Sequence, residues 1–311
     1  MAARRPAGLL LISAIGLSWP RRSALSTPCF RAAWQPPLPC LDSRQLRVRG
    51  GEISSGSSAV AVFGTERAKQ QAYYDVDGTL YDGTMAHCGW WFICALPSVY
   101  QRLSKAAQFC VALPYVGALA AVDEARAASC LGRLLVRGVR VSDALCAAEA
   151  VADGVLWHAY PEVIDLLLQQ QREGHETILL SGNIEPLLSA IGARLNCGVI
   201  GTKMEVAGGR YTGNIVGPVC VLEGKRQKLL ESMHPSQRAR AAAERSGLAG
   251  VGNSVYDVPF LCEVPKAWVV RPSSRLRRIA EGKGWDLTLV RVKGSGVSRK
   301  SVKPKAKRFQ V

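Results

Sequence analysis

Residues 71–76 read as a short strand that runs directly into Asp75-Val-Asp77-Gly-Thr-Leu. Carboxylates at positions i and i+2 where a strand ends can face one mouth once the backbone turns at Gly78. Two carboxylates held so close repel each other unless a cation lies between them, and their hard oxygens suit Mg²⁺. A solvated Asp-Gly turn has the same local sequence, so the segment acquires meaning only from what surrounds it.

From residue 83 to residue 159 the chain is rich in Ala and Leu and lacks a strand signal, which predicts helices. Beyond it, strand and helix signals alternate. The apolar spacing of Val163, Leu166 and Leu167 predicts a helix over 161–172, followed by a strand over 177–181 and a helix over 186–195. Residues 199–201 are extended, and 204–213 read as a hairpin turning at Gly208-Gly209. Helices are expected over 225–233, 235–246 and 274–281, and strands over 249–252 and 267–270. Such alternation implies an α/β protein with a doubly wound parallel sheet covered on both faces. Ligands then bind beyond the carboxyl ends of the strands, where Asp75 and Asp77 lie. The stretch 83–159 falls between the first strand and the second, as an inserted helical cap over that edge.

The net charge of +16 would suggest a nucleic-acid protein if it were spread over a folded face. It is not. Residues 1–50 hold eight Arg against Asp42, residues 292–311 hold seven basic residues and no acid, and residues 51–291 are left with +2. No nucleic-acid partner is expected, because the basic residues sit at the ends. Residues 293–311 read as a basic disordered tail. The first 57 residues read as a transit peptide and a Gly/Ser linker. They are Arg-, Ala-, Ser- and Pro-rich, and Arg21 and Arg22 follow the apolar run where a secretory signal has small residues. An organelle is expected, chloroplast in preference to mitochondrion. The ten cysteines show no metal-ligand spacing, and most of them read as small buried hydrophobes. The four histidines read as structural or surface residues, and Tyr73, Tyr74 and Trp157 as core.

Three further segments bear on Asp75 and Asp77. Ser181-Gly182-Asn183 ends a strand, where a hydroxyl and free N–H groups at a helix start can hold phosphate oxygens. Lys225, after Gly224 at another helix start, can neutralise a phosphoryl group and an attacking carboxylate. Gly252-Asn253-Ser254-Val-Tyr-Asp257 offers oxygen ligands at a third strand end. In this order, over residues 71–292, the segments resemble the four motifs of the haloacid dehalogenase-like hydrolase superfamily, in its phosphoserine-phosphatase-like group, subfamily IB. Residues 201–205 with 210–213, and the stretch 272–285, are similar to the same group. The resemblance implies a Rossmann-like core of residues 58–82 and 160–292, a helical cap of residues 83–159, and a phosphatase.

The family's roles, placed on this sequence, make Asp75 the nucleophile that becomes an aspartyl-phosphate. Asp77 becomes the acid that protonates the leaving oxygen and then the base that activates water. The resemblance implies phosphoryl binding by Ser181, Gly182, Asn183 and Lys225, and Mg²⁺ held by Asp75, Asp77, Asn253 and Asp257. One position departs from the pattern: Asn253 stands where the family usually has an acid, so weaker metal binding is expected.

The substrate is expected to be a phosphorylated small molecule or a lipid phosphate. Phosphoserine phosphatases carry a glutamate soon after the first motif, whereas Asp82 is the only acid here between Leu80 and Gly89. Residues 83–101 and 106–122 are uncharged runs of 19 and 17 residues, broken by Pro97 and Pro114. They fit a cap packed on the core; they also fit a helical hairpin touching a membrane surface, with Trp90, Trp91 and Tyr115 at the interface. The alternative function is a catalytically weak phosphatase-like protein that binds a membrane or a partner through this cap.

Overall fold

A computed structural model describes residues 70–291. The transit peptide, the linker and the basic tail lie outside these residues, as do Cys29 and Cys40.

Strand β1 (Gln71–Tyr74) has all four residues buried, because strands cover it on both edges and side chains on both faces. It pairs in parallel with β2 (Glu176–Ile184) on one side and β5 (Leu248–Gly252) on the other. β3 (Gly198–Ala207) extends the sheet in parallel beyond β2, and β6 (Lys266–Val269) does so beyond β5. β4 (Arg210–Val216) closes the far edge as the antiparallel arm of a hairpin, giving the order β4-β3-β2-β1-β5-β6. The sheet is thus mostly parallel, with one antiparallel edge strand. β1 lies at its centre, where chain connections depart to opposite sides, and a crevice opens beyond the carboxyl ends of the strands.

Between β1 and β2 lie α1 (Met85–Ala95), α2 (Val99–Val122), α3 (Glu124–Val136) and α4 (Val141–Trp157). Thr84 and His87 form a capping box at the start of α1, and Asp123 caps α3 by accepting from Arg126 N. α1 buries most of its surface, while only Lys105, Phe109 and Val116 of α2 are buried. α5 (Pro161–Arg172) leads into β2, α6 (Glu185–Leu195) follows it, α7 (Glu223–Ser232) precedes β5, and α8 (Ser274–Lys283) follows β6. Tyr73, Ile178, Leu180, Phe260 and Leu276 belong to one apolar cluster.

Three expectations need correction. Residues 235–246 do not form a helix; a single turn, Pro235–Arg238, is followed by a 3-10 turn, Ala242–Glu244. The buried Arg245 guanidinium donates to the carbonyls of Gln237, Arg240 and Glu263, and so holds the backbone in a loop. Trp157, expected in the core, is 66% exposed at the end of α4; the buried Trp91 ring stacks on His158 instead, at 5.3 Å. Of the described cysteines, all free, Cys88 and Cys220 are buried while Cys110 and Cys146 are exposed.

Candidate active site

The central strand delivers Asp75 to the crevice immediately after Tyr74. Its carboxylate is buried and held from two sides: the Thr79 hydroxyl donates to Oδ2 (2.8 Å) and the Lys225 ammonium to Oδ1 (2.6 Å). Thr79 is within reach because the chain turns back at Gly78, whose φ of +75° favours glycine. A Cβ on Gly78 would also lie 2.1 Å from the Asn253 amide nitrogen, so this glycine lets the fourth segment approach the first.

Lys225 comes from the start of α7 and bridges two acids, donating to Asp257 Oδ1 at 2.7 Å as well as to Asp75. The preceding Gly224 permits the tight loop there, since a Cβ would fall 1.8 Å from the carbonyl oxygen of Val219. The other oxygen of Asp257 accepts from the backbone N–H groups of Asn253 and Ser254 and from the Ser254 hydroxyl, at 3.0–3.1 Å. The loop after β5 is thereby folded around a buried carboxylate.

Asp77 has a different set of partners. Tyr81 donates its hydroxyl to Oδ1 (2.9 Å), while the Asn183 amide (2.7 Å) and the Ser181 hydroxyl (3.4 Å) donate to Oδ2. Ser181 and Asn183 therefore stand beside Asp77. Gly182 lines the same cavity as Asp75, Asp77, Lys225, Asn253 and Asp257. Asn183 Oδ1 is buried without a hydrogen-bond partner. Asp82 lies apart from this cavity and pairs with Arg271 at 3.1 Å.

Burial raises both carboxyls of the pair: Asp75 to about 6, held down chiefly by Lys225, and Asp77 to about 7, where the Asp75 charge adds to the effect. An acid with a raised pKa contributes its stability fully below its unfolded value, here 3.8. That contribution is lost as pH rises to the folded value. In metal-free protein, the stability of Asp77→Asn relative to the unaltered chain is therefore expected to increase from about pH 4 to about pH 7 and then level off. Urea midpoints across that range check it; a pH-independent difference would contradict the raised value.

Three residues that sequence reasoning did not single out belong to the site. Thr79 and Tyr81 follow the first segment by a few positions, and the regular i, i+4 relation of Thr79 to Asp75 is the signal that could have found it. Glu124, at the first turn of α3, lines the cavity 49 positions from Asp75, and nothing local in sequence marks it.

Residues 72–261 match the model of the haloacid dehalogenase-like hydrolase family, and the chain belongs to that family. Among its relatives, a phosphoserine phosphatase of Mycobacterium tuberculosis is 28% identical over 242 residues, covering 71% of this chain and 71% of that protein. A histidinol-phosphatase of Neisseria meningitidis is 28% identical over 139 residues, covering 44% of this chain and 62% of that protein. The chain thus spans less than two thirds of the Neisseria protein. A crystal structure of a protein of unknown function from Bordetella pertussis shares the fold, with a TM-score of 0.59 at 22% identity, over 71% of this chain and 98% of that one.

Proposed function

We propose that the chain is a Mg²⁺-dependent phosphomonoester hydrolase working through an aspartyl-phosphate on Asp75. The observation that carries this reading is the division of labour between the two carboxylates. Asp75 is pinned and charge-balanced by Lys225, while Asp77, two residues on, sits among neutral donors with its pKa raised to about 7. Paired carboxylates with different partners, one held by an ammonium and the other by neutral donors, are suited to separate nucleophile and acid roles.

The donor set suits a hard divalent ion. Asp75 and Asp257 bring two negative charges when ionised and Lys225 returns one positive charge, so a net negative charge is left for a cation, and it doubles when Asp77 gives up its proton. Asp75, Asp77 through its backbone carbonyl, Asn253 and Asp257 would hold Mg²⁺, which would supply charge neutralisation for the phosphoryl oxygens. An Asp75 oxygen attacks phosphorus and the ester P–O bond breaks. The departing oxygen takes the Asp77 proton and leaves as the alcohol. Asp77 then accepts a proton from water, whose oxygen attacks the aspartyl-phosphate and releases phosphate and the Asp75 carboxylate. Lys225 stays bonded to Asp75 and balances charge throughout. Gly182 offers a backbone edge to the phosphoryl oxygens, while Ser181 and Asn183 position Asp77. A phosphate-release assay on p-nitrophenyl phosphate, with Mg²⁺ and with chelator, tests the reading; no chelator-sensitive release at any Mg²⁺ concentration would overturn it.

Asn253 contributes an amide where a carboxylate would add charge. Asn253→Asp is expected to lower the Mg²⁺ concentration for half-maximal activity by about tenfold, as measured by metal titration of the initial rate.

A second reading, contact with a membrane surface, is favoured by α2. It is, among the described residues, the one helix long and apolar enough to cross a membrane, and only 17% of its most apolar window is buried. Tyr100, Leu103, Val111, Tyr115 and Val122 are exposed along it. Such a surface would bring a lipid phosphate to the site. Vesicle flotation tests this second reading, which fails if the protein stays at the bottom of the gradient.

A further inference from the structure

The cavity over Asp75 encloses about 430 Å³ and is walled on its helical side by Leu113, Val116, Ala120, Ala127 and Leu131. Among the described residues, one charged side chain interrupts that apolar wall: Glu124. Its Oε2 is buried and has no hydrogen-bond partner. The position at the first turn of α3 favours a negative charge through the helix dipole but gives Oε2 no hydrogen-bond partner. Leaving a carboxylate oxygen buried and unmatched is costly, so such a group is either an expense to the fold or an arm awaiting a ligand. Burial raises its pKa to about 7 against the pull of Lys225, consistent with a carboxylate that lacks a cation of its own.

The basic groups of the cavity narrow what can meet it. Lys225 is the only basic side chain in the lining among the described residues, and it is already shared between Asp75 and Asp257. A substrate amine would find Glu124 free; a substrate carboxylate would find no free cation and would face Glu124 instead.

Resting on the phosphomonoesterase reading, we propose that Glu124 selects the substrate, and that the substrate is a phosphomonoester carrying a cationic amine on a short apolar carbon skeleton without a carboxylate. The phosphoryl group sits at Asp75, the carbon skeleton lies along the apolar wall, and the ammonium pairs with Glu124 in low-polarity surroundings, where a charge-assisted hydrogen bond is strong.

The test compares 3-aminopropyl phosphate, propyl phosphate and O-phosphoserine as substrates, with the corresponding 3-aminopropyl and propyl phosphonates as non-hydrolysed ligands in calorimetry. In the unaltered protein kcat/KM is expected to favour 3-aminopropyl phosphate over propyl phosphate by about ten- to a hundredfold, with phosphoserine poorer than the aminopropyl ester. Glu124→Gln is expected to collapse that ratio to near one, lowering kcat/KM for the amine and raising it for propyl phosphate. Glu124→Asp, which keeps the charge on a shorter arm, should retain part of the preference. Equal use of the amine and the plain ester by the unaltered protein, or a ratio that Glu124→Gln leaves intact, would overturn the proposal. If no phosphate is released from any ester, the hydrolase reading falls. The phosphonates still decide the role of Glu124: tighter binding of the aminophosphonate that Glu124→Gln abolishes supports it, and equal or absent binding overturns it.

Discussion

Asp75→Asn is expected to reduce Mg²⁺-dependent phosphate release by at least about 10³-fold, because an amide oxygen is a poor nucleophile toward phosphorus and Asp77, the other carboxylate at this strand end, is held by Tyr81, Ser181 and Asn183 in the acid role. The loss should appear in kcat, since Lys225 and the backbone around Gly182 remain to bind a phosphoryl group. The fold should tolerate the change. Asn keeps the volume of Asp, its Oδ1 can still accept from Lys225, and it removes a carboxylate that burial already disfavours. Phosphate release alongside a denaturation midpoint separates the two effects. Unchanged rates in a folded variant would remove Asp75 from the chemistry, and with it the aspartyl-phosphate.

Lys225→Met is expected to affect stability as strongly as activity. The ammonium is the shared partner of Asp75 and Asp257, all three side chains being nearly inaccessible to solvent. Removing one member of a buried ion cluster leaves its partners unmatched, at a cost of about 3–5 kcal/mol. The loss should be smaller at pH 5 than at pH 8, because Asp75, already raised to about 6 with Lys225 present, takes up a proton more readily without it. Urea midpoints at the two pH values check this. A loss that does not depend on pH would mean that Lys225 stabilises the site by packing its carbon chain, for example against the Phe260 ring 5.5 Å from Nζ.

The two variants probe the same contact from opposite ends, so their effects should not add. In the double variant, an amide at position 75 removes one of the charges that Lys225 balances, and the stability cost of Lys225→Met should fall. Asp257, bound by three donors of its own loop as well as by Lys225, is the member that keeps the remaining demand for charge.

Much of the fold was legible because its signals are local. The central strand read as a short segment ahead of the paired acids, the hairpin turn read from Gly208-Gly209, and alternation of strand and helix implied a parallel sheet with ligands beyond the strand ends, to which the structure adds β4 as an antiparallel edge strand. Local signals failed where a distant residue overrode them. Residues 235–246 have helical composition, yet the buried Arg245 side chain ties their carbonyls and those of Glu263 into a loop. Trp157 looked like core by its chemistry and lies outside because of where α4 ends.

What the sequence by itself determined is the kinds of group present and the order of the segments that carry them: two acids after the first strand, Ser181-Gly182-Asn183 after the second, a lysine at a helix start and an Asn/Asp pair after a later strand. Those properties belong to short stretches of chain, and short-range turn and strand physics suffices to read them. Tertiary structure alone decided the pairings. Lys225 meets an acid 150 positions away and another 32 positions away; Asn183 meets Asp77 across 106. Glu124 enters the cavity, as the one charge on its helical side among the described residues, only because α3 packs beside the crevice. Burial, the source of each raised pKa and of the unmet Glu124 oxygen, is a property of the packed chain that no local stretch contains.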